Sequence, residues 1–471
     1  MKGLAISLIS GLFLLNGCGP TDIHVDWVNR PTSFKVSIQN NPSSTDKKLE
    51  LNSNVKVLVD ITALSAQGMD NLKEFSKWVH IYARPGNLKI LEPADAYNPP
   101  SALDNGAYVY MKDGHISNVK VQITNAFGNT MIWVEDNGYL PPTAAGSTAE
   151  CADGKDNNAN GMVDMNDPGC LMASDHSEEG GTGAAGVSDV LWFVSPRLSD
   201  VQGHADVTPF PYEEVDVNRG FMVVTRITNA GFYATDIEDP TGYNNIYVYN
   251  YRLPPGLRVC DRITELRGTV SEFYGFTELN FPSWTSLPWY KDKAPCYVPD
   301  PTVLTPAMVK DHNTMESLES GLVRIMDVTT GDLPQNCDFN NDGKVNYCSS
   351  DTSDPECKCS TNCTYDPFCT DSLNFRQYSQ WAAVIHDTKG GNLTKIWVIS
   401  QQAMPNFDPF QDGGRRHISS ITGTLKEFKY LRPYPWIIEV RCPDDIVIDG
   451  NPKKGSESCI YPRTGAIDAP D

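Results

Sequence analysis

Counting from Asp156 as position 1, oxygen-bearing side chains fall at positions 1, 3, 5, 9 and 12: Asp156, Asn158, Asn160, Asp164 and Asp167. Gly161 stands at position 6, where the chain must turn sharply, and Met162 at position 7 offers its backbone carbonyl. This is the ligand spacing of a twelve-residue calcium loop. Calcium is a hard cation that takes six to eight oxygens, and alternate residues of a tight loop supply them without a protein core. Position 12 is Asp in place of the usual Glu, and two of the first three ligands are neutral Asn. The spacing therefore predicts weak binding, on the order of 10⁻⁴–10⁻³ M. The plain alternative is an Asx-rich turn with no metal, since Asp, Asn and Gly favour turns in any case.

A second loop repeats part of the pattern. Asp338, Asn340 and Asp342 occupy positions 1, 3 and 5, and Gly343 position 6. Lys344 offers a carbonyl at position 7, and Asn346 is at position 9. Position 12 is Ser349, so the closing carboxylate is missing unless Asp351 or Asp354 replaces it. Cysteines accompany both loops. Of the 13 Cys, Cys18 lies at the end of the leader, which leaves an even dozen. In an oxidising compartment these suit disulfides. The sequence suggests Cys151–Cys170, Cys260–Cys296 and Cys442–Cys459. Cys337, Cys348, Cys357, Cys359, Cys363 and Cys369 crowd one segment, and their pairing stays open. Zinc is the rival there, but the spacing has no nearby His to complete a standard site.

Other chemistry is missing from the sequence. No HExxH, GxSxG, P-loop or helix-opening GxGxxG is present. The eight His are scattered, and none forms a metal pair by spacing. No catalytic residue is assigned, and the chain reads as a non-enzyme. Lys plus Arg number 38 against 59 Asp plus Glu, a formal charge of −21. Such a chain repels phosphate backbones, which argues against nucleic acid as a partner.

The elements that must hold these loops are strands. Val55–Thr62 and Val119–Thr124 alternate with period two, and Asp-Gly or Asn-Gly pairs punctuate the runs. Six or so strands across 31–142 predict an Ig-like β-sandwich. The loop, at 150–179, reads as a free-standing module, followed by a glycine-rich linker, EEGGTGAAG. A second β region spans 186–300. Its motifs recur: Ile263, Leu266, Gly268, Thr269, Val270, Glu272 and Phe273 match Ile418, Ile421, Gly423, Thr424, Leu425, Glu427 and Phe428 at a constant offset of 155 (418 minus 263). Upstream, FMVVTRI from 221 is matched to LVRIMDV from 322, an offset of 101 (322 minus 221). The longer second copy, 303–445, is thus predicted to carry the cysteine-rich segment 331–374 as an insertion. Residues 446–471 form a tail. Tyr247, Tyr249 and Tyr251 share one strand face, either as a stacking platform or as a barrel surface or core row; the latter is preferred.

Three resemblances add to this reading. Lys2 and the apolar stretch 4–15 lead to Leu15-Asn16-Gly17-Cys18, which resembles the lipobox of bacterial lipoproteins. It implies signal removal over 1–17, lipidation of Cys18, a tether over 18–30 and, from Gly19, the outer membrane. A plain secretory signal cleaved elsewhere is the alternative. Asp153, Gly154, Asp156, Asn157, Gly161, Asp164, Asp167, Pro168, Gly169 and Cys170, then Ser174, Asp175, Ser177 and Glu178, resemble a cysteine-bracketed module of myxobacterial surface proteins. That implies a surface location. Phe232, Tyr233, Thr235 and Asp236, then Ile246, Val248 and Tyr249, then Gly268 to Leu279, resemble OB-fold modules found beside secreted nucleases.

The resulting expectation is an all-β, lipid-anchored, calcium-stabilised surface lipoprotein with an Ig-like sandwich, two OB-like barrels and no catalysis. Its partners would be the outer membrane, through acyl chains, and a protein or glycan. An accessory polymer-binding protein of nuclease or glycan processing is the second reading, and a divergent hydrolase the third.

Overall fold

The alternating runs become strands whose inward residues are aliphatic, as half-buried sheets require. The computed structural model describes residues 30–330, 380–386, 393–409, 416–429, 435–450 and Cys459, apart from 52, 66–70, 100–105, 143–147, 240 and 290–295. Cys18, the second loop and the six crowded cysteines lie outside the described residues. The described chain is all-β in architecture, with three short α-helices.

The first unit contains β1 (Ser33–Gln39), β2 (Val55–Leu64), β3 (Trp78–Arg84), β4 (Asn87–Glu92), β5 (Ala107–Tyr110), β6 (His115–Thr124), β7 (Asn129–Glu135), β8 (Ala185–Val187) and β9 (Leu191–Trp192). Their order is β4-β6-β2-β1-β8-β7-β3-β5, with β9 on β7. Val57, Val59 and Ile61 of β2 share one core with Val79 and Ile81 of β3, Val121 and Ile123 of β6, and Ile132 and Val134 of β7. The immunoglobulin-like order is not established by these pairings, because β5 returns to β3 after β4 has paired with β6.

The expected boundaries at 142 and 186 shift. β8 pairs with β7 and joins β1 in parallel through Ser33 and Ala185, while Leu191 and Phe193 enter the same core. The acidic loop is therefore an excursion between two strands of the first unit. The glycine-rich segment after it is no free linker. The Asp136 carboxylate accepts from the backbone N–H and the hydroxyl of Thr182, which ties the segment along β7. A three-residue strand reading Ala-Gly-Val is too short and too plain to show as a periodic pattern.

The second unit holds α1 (Leu198–Gln202), β10 (Glu214–Val217), β11 (Met222–Thr228), β12 (Gly231–Asp236), β13 (Asn245–Tyr249), β14 (Arg262–Phe273) and β15 (Phe276–Leu287). β11 to β13 form an antiparallel meander, β13 runs parallel to β15, β15 pairs with β14, and β14 closes on β11. This is a five-stranded OB-like barrel with β10 added on β14. Leu198 and Val201 of α1 plug its core beside Val224, Phe232 and Val270.

The third unit repeats the circuit. It contains β16 (Thr302–Val303), α2 (Pro306–Lys310), α3 (His312–Glu316), β17 (Leu322–Thr330), β18 (Gln380–His386), β19 (Leu393–Ile399), β20 (His417–Glu427), β21 (Trp436–Glu439) and β22 (Ile446–Val447). Again the first three barrel strands are antiparallel, the third runs parallel to the fifth, and the fourth closes on the first. Gly268 and Gly423 both lie in the fourth strand, on β14 and β20.

Register corrects the upstream match. Met222 faces Ile263, and Val328 faces Ile418, the equivalent of Ile263. Met222 thus corresponds to Val328, an offset of 106 (328 minus 222). The place of Leu322–Ile325 is taken in the first barrel by β10, whose Val217 faces Leu266 as Ile325 faces Ile421. One continuous strand in the second barrel is two segments in the first. The apolar runs looked alike, and only cross-strand pairing tells which residues share a position.

Candidate functional site

Local turn chemistry builds the acidic loop. Cys151 and Cys170 are bonded, with Cα atoms 5.7 Å apart. The other two suggested disulfides, Cys260–Cys296 and Cys442–Cys459, are present as well. Asp156 accepts from the backbone N–H of Asn160 at 3.1 Å and of Gly161 at 2.8 Å, and Gly161 has φ +88°. Asn158 accepts from Asn160 N–H, and Asn160 accepts from Met162 N–H at 2.8 Å. Asp167, buried, receives the side-chain amides of Asn158 and Asn160 at 2.9 and 2.8 Å. Positions 1, 3, 5 and 12 are thus linked around one centre. Asp164 at position 9 is turned away, and takes N–H groups from Asp153 and Gly154.

Two residues beyond the twelve hold the loop in place. Buried Glu178 accepts from Asn157 N–H at 2.6 Å and Asp164 N–H at 2.9 Å. Asp175, fully buried, accepts from Leu140, Ser177 and Leu171 N–H, which docks the loop on the first unit. Burial raises the Asp175 carboxyl above its usual value, partly opposed by those donors.

The two barrels meet through the outer face of β12 and β13. Tyr233, Tyr247 and Phe276 are buried in one aromatic cluster, with the Tyr233 and Tyr247 rings 4.7 Å apart. Tyr233 donates its hydroxyl to Glu439 of β21, and Arg226 of β11 binds the same carboxylate at 2.7 Å. Arg226 also donates to Thr424 Oγ1 at 2.6 Å. Lys426 of β20 lies over the Phe276 ring at 4.9 Å. Burial would raise the Glu439 carboxyl, but the Arg226 charge and hydrogen bond outweigh it and hold the group below its usual range. The tyrosine row continues outward: Tyr249 and Tyr251 are 4.4 Å apart, then Tyr251 and Phe281 5.3 Å. Only its far end is open, with Tyr251 53% and Phe281 75% exposed. The row is thus in large part interface, not a free platform.

At one edge of this junction carboxylates gather from distant parts of the chain. The β14–β15 hairpin turns through Tyr274 and Gly275, both at positive φ. A Cβ on Gly275 would run into the Glu427 carboxylate, so only glycine lets the hairpin approach the second barrel so closely. Glu427 ends β20, Glu316 ends α3, and Glu319 follows in the turn whose Ser320 N–H donates to Leu425 O. Oxygens of Glu316, Glu319 and Glu427 lie within 4.8 Å of one another, and all three residues are buried. Glu272, the counterpart of Glu427 in the repeat, accepts from Thr208 N–H at 2.7 Å and Thr277 Oγ1 at 2.8 Å. Glu319 accepts from Gln202 Nε2 and from Thr277 N–H at 3.2 Å.

Cations stand at the outer edge. Lys429 Nζ is 2.9 Å from Glu427, 3.5 Å from Glu316 and 3.6 Å from Asp206. His312 is 2.8 Å from Asp206 and 3.2 Å from Glu316. Burial and the neighbouring Glu427 charge push the Glu316 carboxyl up to about 7. Burial raises Glu319 well above its usual value, and burial raises Glu272 and Glu427 as well.

Sequence reasoning missed this centre. Glu272 and Glu427 were visible as a matched pair, but Gln202, His312, Glu316 and Glu319 carried no ligand spacing. The available signal was the recurrence of Glu at the end of both fourth strands, beside the ESLES segment. No family model matches the chain. No curated protein matches it either.

Proposed function

We propose that this is a lipid-anchored, non-catalytic surface protein of the outer membrane, with two barrels joined into one rigid binding body and a calcium-stabilised loop. Cys18 would carry the acyl chains, and more than one chain makes anchoring stable. Among the described residues no helix is long and apolar enough to cross a membrane. Asp156, Asn158, Asn160 and Asp167, with the Met162 carbonyl, would hold the calcium; Asp164 would need to swing away from Asp153 and Gly154 to join them. Asp338, Asn340, Asp342, Lys344 and Asn346 would form the second, weaker loop site.

The observation that carries this reading is the burial of Tyr233, Tyr247 and Phe276 between the barrels. Isolated OB modules stack bases or sugars on the face of their second and third strands. Here that face is occupied, so gripping a polymer loses support relative to a rigid structural role. The exposed end at Tyr251 and Phe281 remains for a protein or glycan contact. With a charge of −21, a nucleic acid is disfavoured.

The test measures binding of the acyl-free full chain to oligosaccharides and single-stranded oligonucleotides, alongside its melting temperature. Tyr247→Ala should lower the melting temperature and leave any ligand binding unchanged. A variant that melts normally but loses polymer binding would overturn the reading in favour of a gripping face. In cells, Cys18→Ala should move the protein out of the membrane fraction.

A further inference from the structure

The acidic centre between the barrels has more negative charge than its neighbours can balance. Asp206, Glu272, Glu316, Glu319 and Glu427 face Lys429 and His312. Lys429 and His312 contact Asp206, Glu316 and Glu427 on the solvent side. Glu319 lies deeper, fully buried, and the charges that act on it are the carboxylates of Glu316 and Glu272. Burying an unpaired carboxylate is costly, and such groups are neutralised, paired or bound to metal.

Oxygens without donors mark the place. Glu319 Oε2, Glu272 Oε2 and Glu427 Oε1 are buried and lack a hydrogen-bond donor, while Glu427 Oε2 and Glu316 Oε1 meet only Lys429 and His312 at the outer edge. A neutral residue points the same way. Gln202 is 3% exposed and reaches the centre from α1, giving Nε2 to Glu319. Its Oε1 is left buried with no donor. Native interiors leave few such atoms unsatisfied, and an ion is one standard reason. A half-turn of the Gln202 amide would bring that oxygen onto a cation held by the carboxylates.

We propose that Glu316, Glu319 and Glu427, with the amide oxygen of Gln202, bind a divalent cation of the calcium class that clamps the second barrel to the first. The donor set is all oxygen, and carboxylates with a Gln carbonyl are calcium ligands. Magnesium fits less well, since it keeps several waters and demands an octahedral shell, whereas Glu319 and Glu427 are fully buried. The clamp joins α1 of the first barrel to α3, the turn after it and β20 of the second. It shares no residue with the loop at 156–167, so either site can fail without the other.

The test uses the full chain with both loops silenced by Asp156→Ala, Asp167→Ala, Asp338→Ala and Asp342→Ala. After dialysis against calcium and removal of free ion, metal content is measured per chain. One calcium should remain, and Glu319→Gln or Glu427→Gln should each abolish it. Calcium should also raise the melting temperature of the parent over chelator. Glu319→Gln should lose that increment, yet melt higher than the parent in chelator, because the cost of burying that carboxyl without a cation is gone. If Glu319→Gln does not fold, terbium luminescence excited through tryptophan gives the readout on the parent alone. Trp436 stands directly across from Glu427 in the β20–β21 pair, and Trp436→Phe should quench the signal. No bound metal in the parent, equal metal in parent and Glu319→Gln, or no terbium emission would overturn the proposal and leave a cluster of protonated carboxyls.

Discussion

The acidic loop and the acidic junction use the same side chains and treat them in opposite ways. In the loop, Asp156, Asp164, Asp167 and Glu178 each accept N–H groups, most of them from the backbone of the same loop, between Asp153 and Gly169. Short polar side chains in a tight turn find their own donors. At the junction, Glu316, Glu319 and Glu427 come from α3, the turn after it and β20, and Glu319 Oε2 and Glu427 Oε1 meet no hydrogen-bond donor. Carboxylates assembled over long range have no turn to satisfy them. The region that looks most like a metal site in sequence is therefore locally complete, and the one that does not is short of partners.

The largest expected effect lies at the junction. Arg226→Ala leaves Glu439 charged and largely buried, and should cost about 3–5 kcal/mol in urea unfolding. A loss under about 1 kcal/mol would mean that the barrels are not coupled through this pair. The loop should respond less. Replacing Cys151 and Cys170 by Ser together should cost roughly 3 kcal/mol, by restoring unfolded-state entropy. In the disulfide-intact chain, calcium at 100 times its dissociation constant should add about 2.7 kcal/mol if the loop binds it. Asp156→Ala and Asp167→Ala should each remove that loop increment. Equal stability in calcium and chelator, measured with the junction disabled by Glu319→Gln, would leave the loop a disulfide-closed turn.

Acid offers a sharper division between the two regions. Glu439 is held below its usual range, so its contribution is complete above about pH 4.5 and is lost as pH falls through its folded value. Arg226→Ala should flatten that acid limb of the stability curve, while loop variants should leave it intact. The smallest effect belongs to Tyr251→Ala. Its ring is 53% exposed, and stability should change by no more than about 0.5 kcal/mol, read by thermal melting. A larger loss would place the outer end of the aromatic row inside the structural interface.

Much of the architecture was legible because it follows local rules. Period-two runs such as Val55–Thr62 became strands, and the offset linking Ile263 to Ile418 became equivalent fourth strands in two barrels. All three suggested disulfides formed. What was misread depended on pairing. Ala185–Val187 has no pattern of its own and is a strand only because β1 and β7 offer it edges. Met222 was matched to the wrong partner because one short apolar run looks like another, and register is visible only across strands.

The sequence by itself determined the all-β class, the repeated barrel, the disulfide staples and the turn that carries Asp156 to Asp167, since each rests on neighbours along the chain. Only the tertiary structure decided that Tyr233 and Tyr247 face a second barrel. It alone brought Gln202, Glu316, Glu319 and Glu427 to one place. Their meeting depends on how a hairpin with Gly275 at its tip packs against β20, and no spacing along the chain records a contact between elements more than a hundred residues apart.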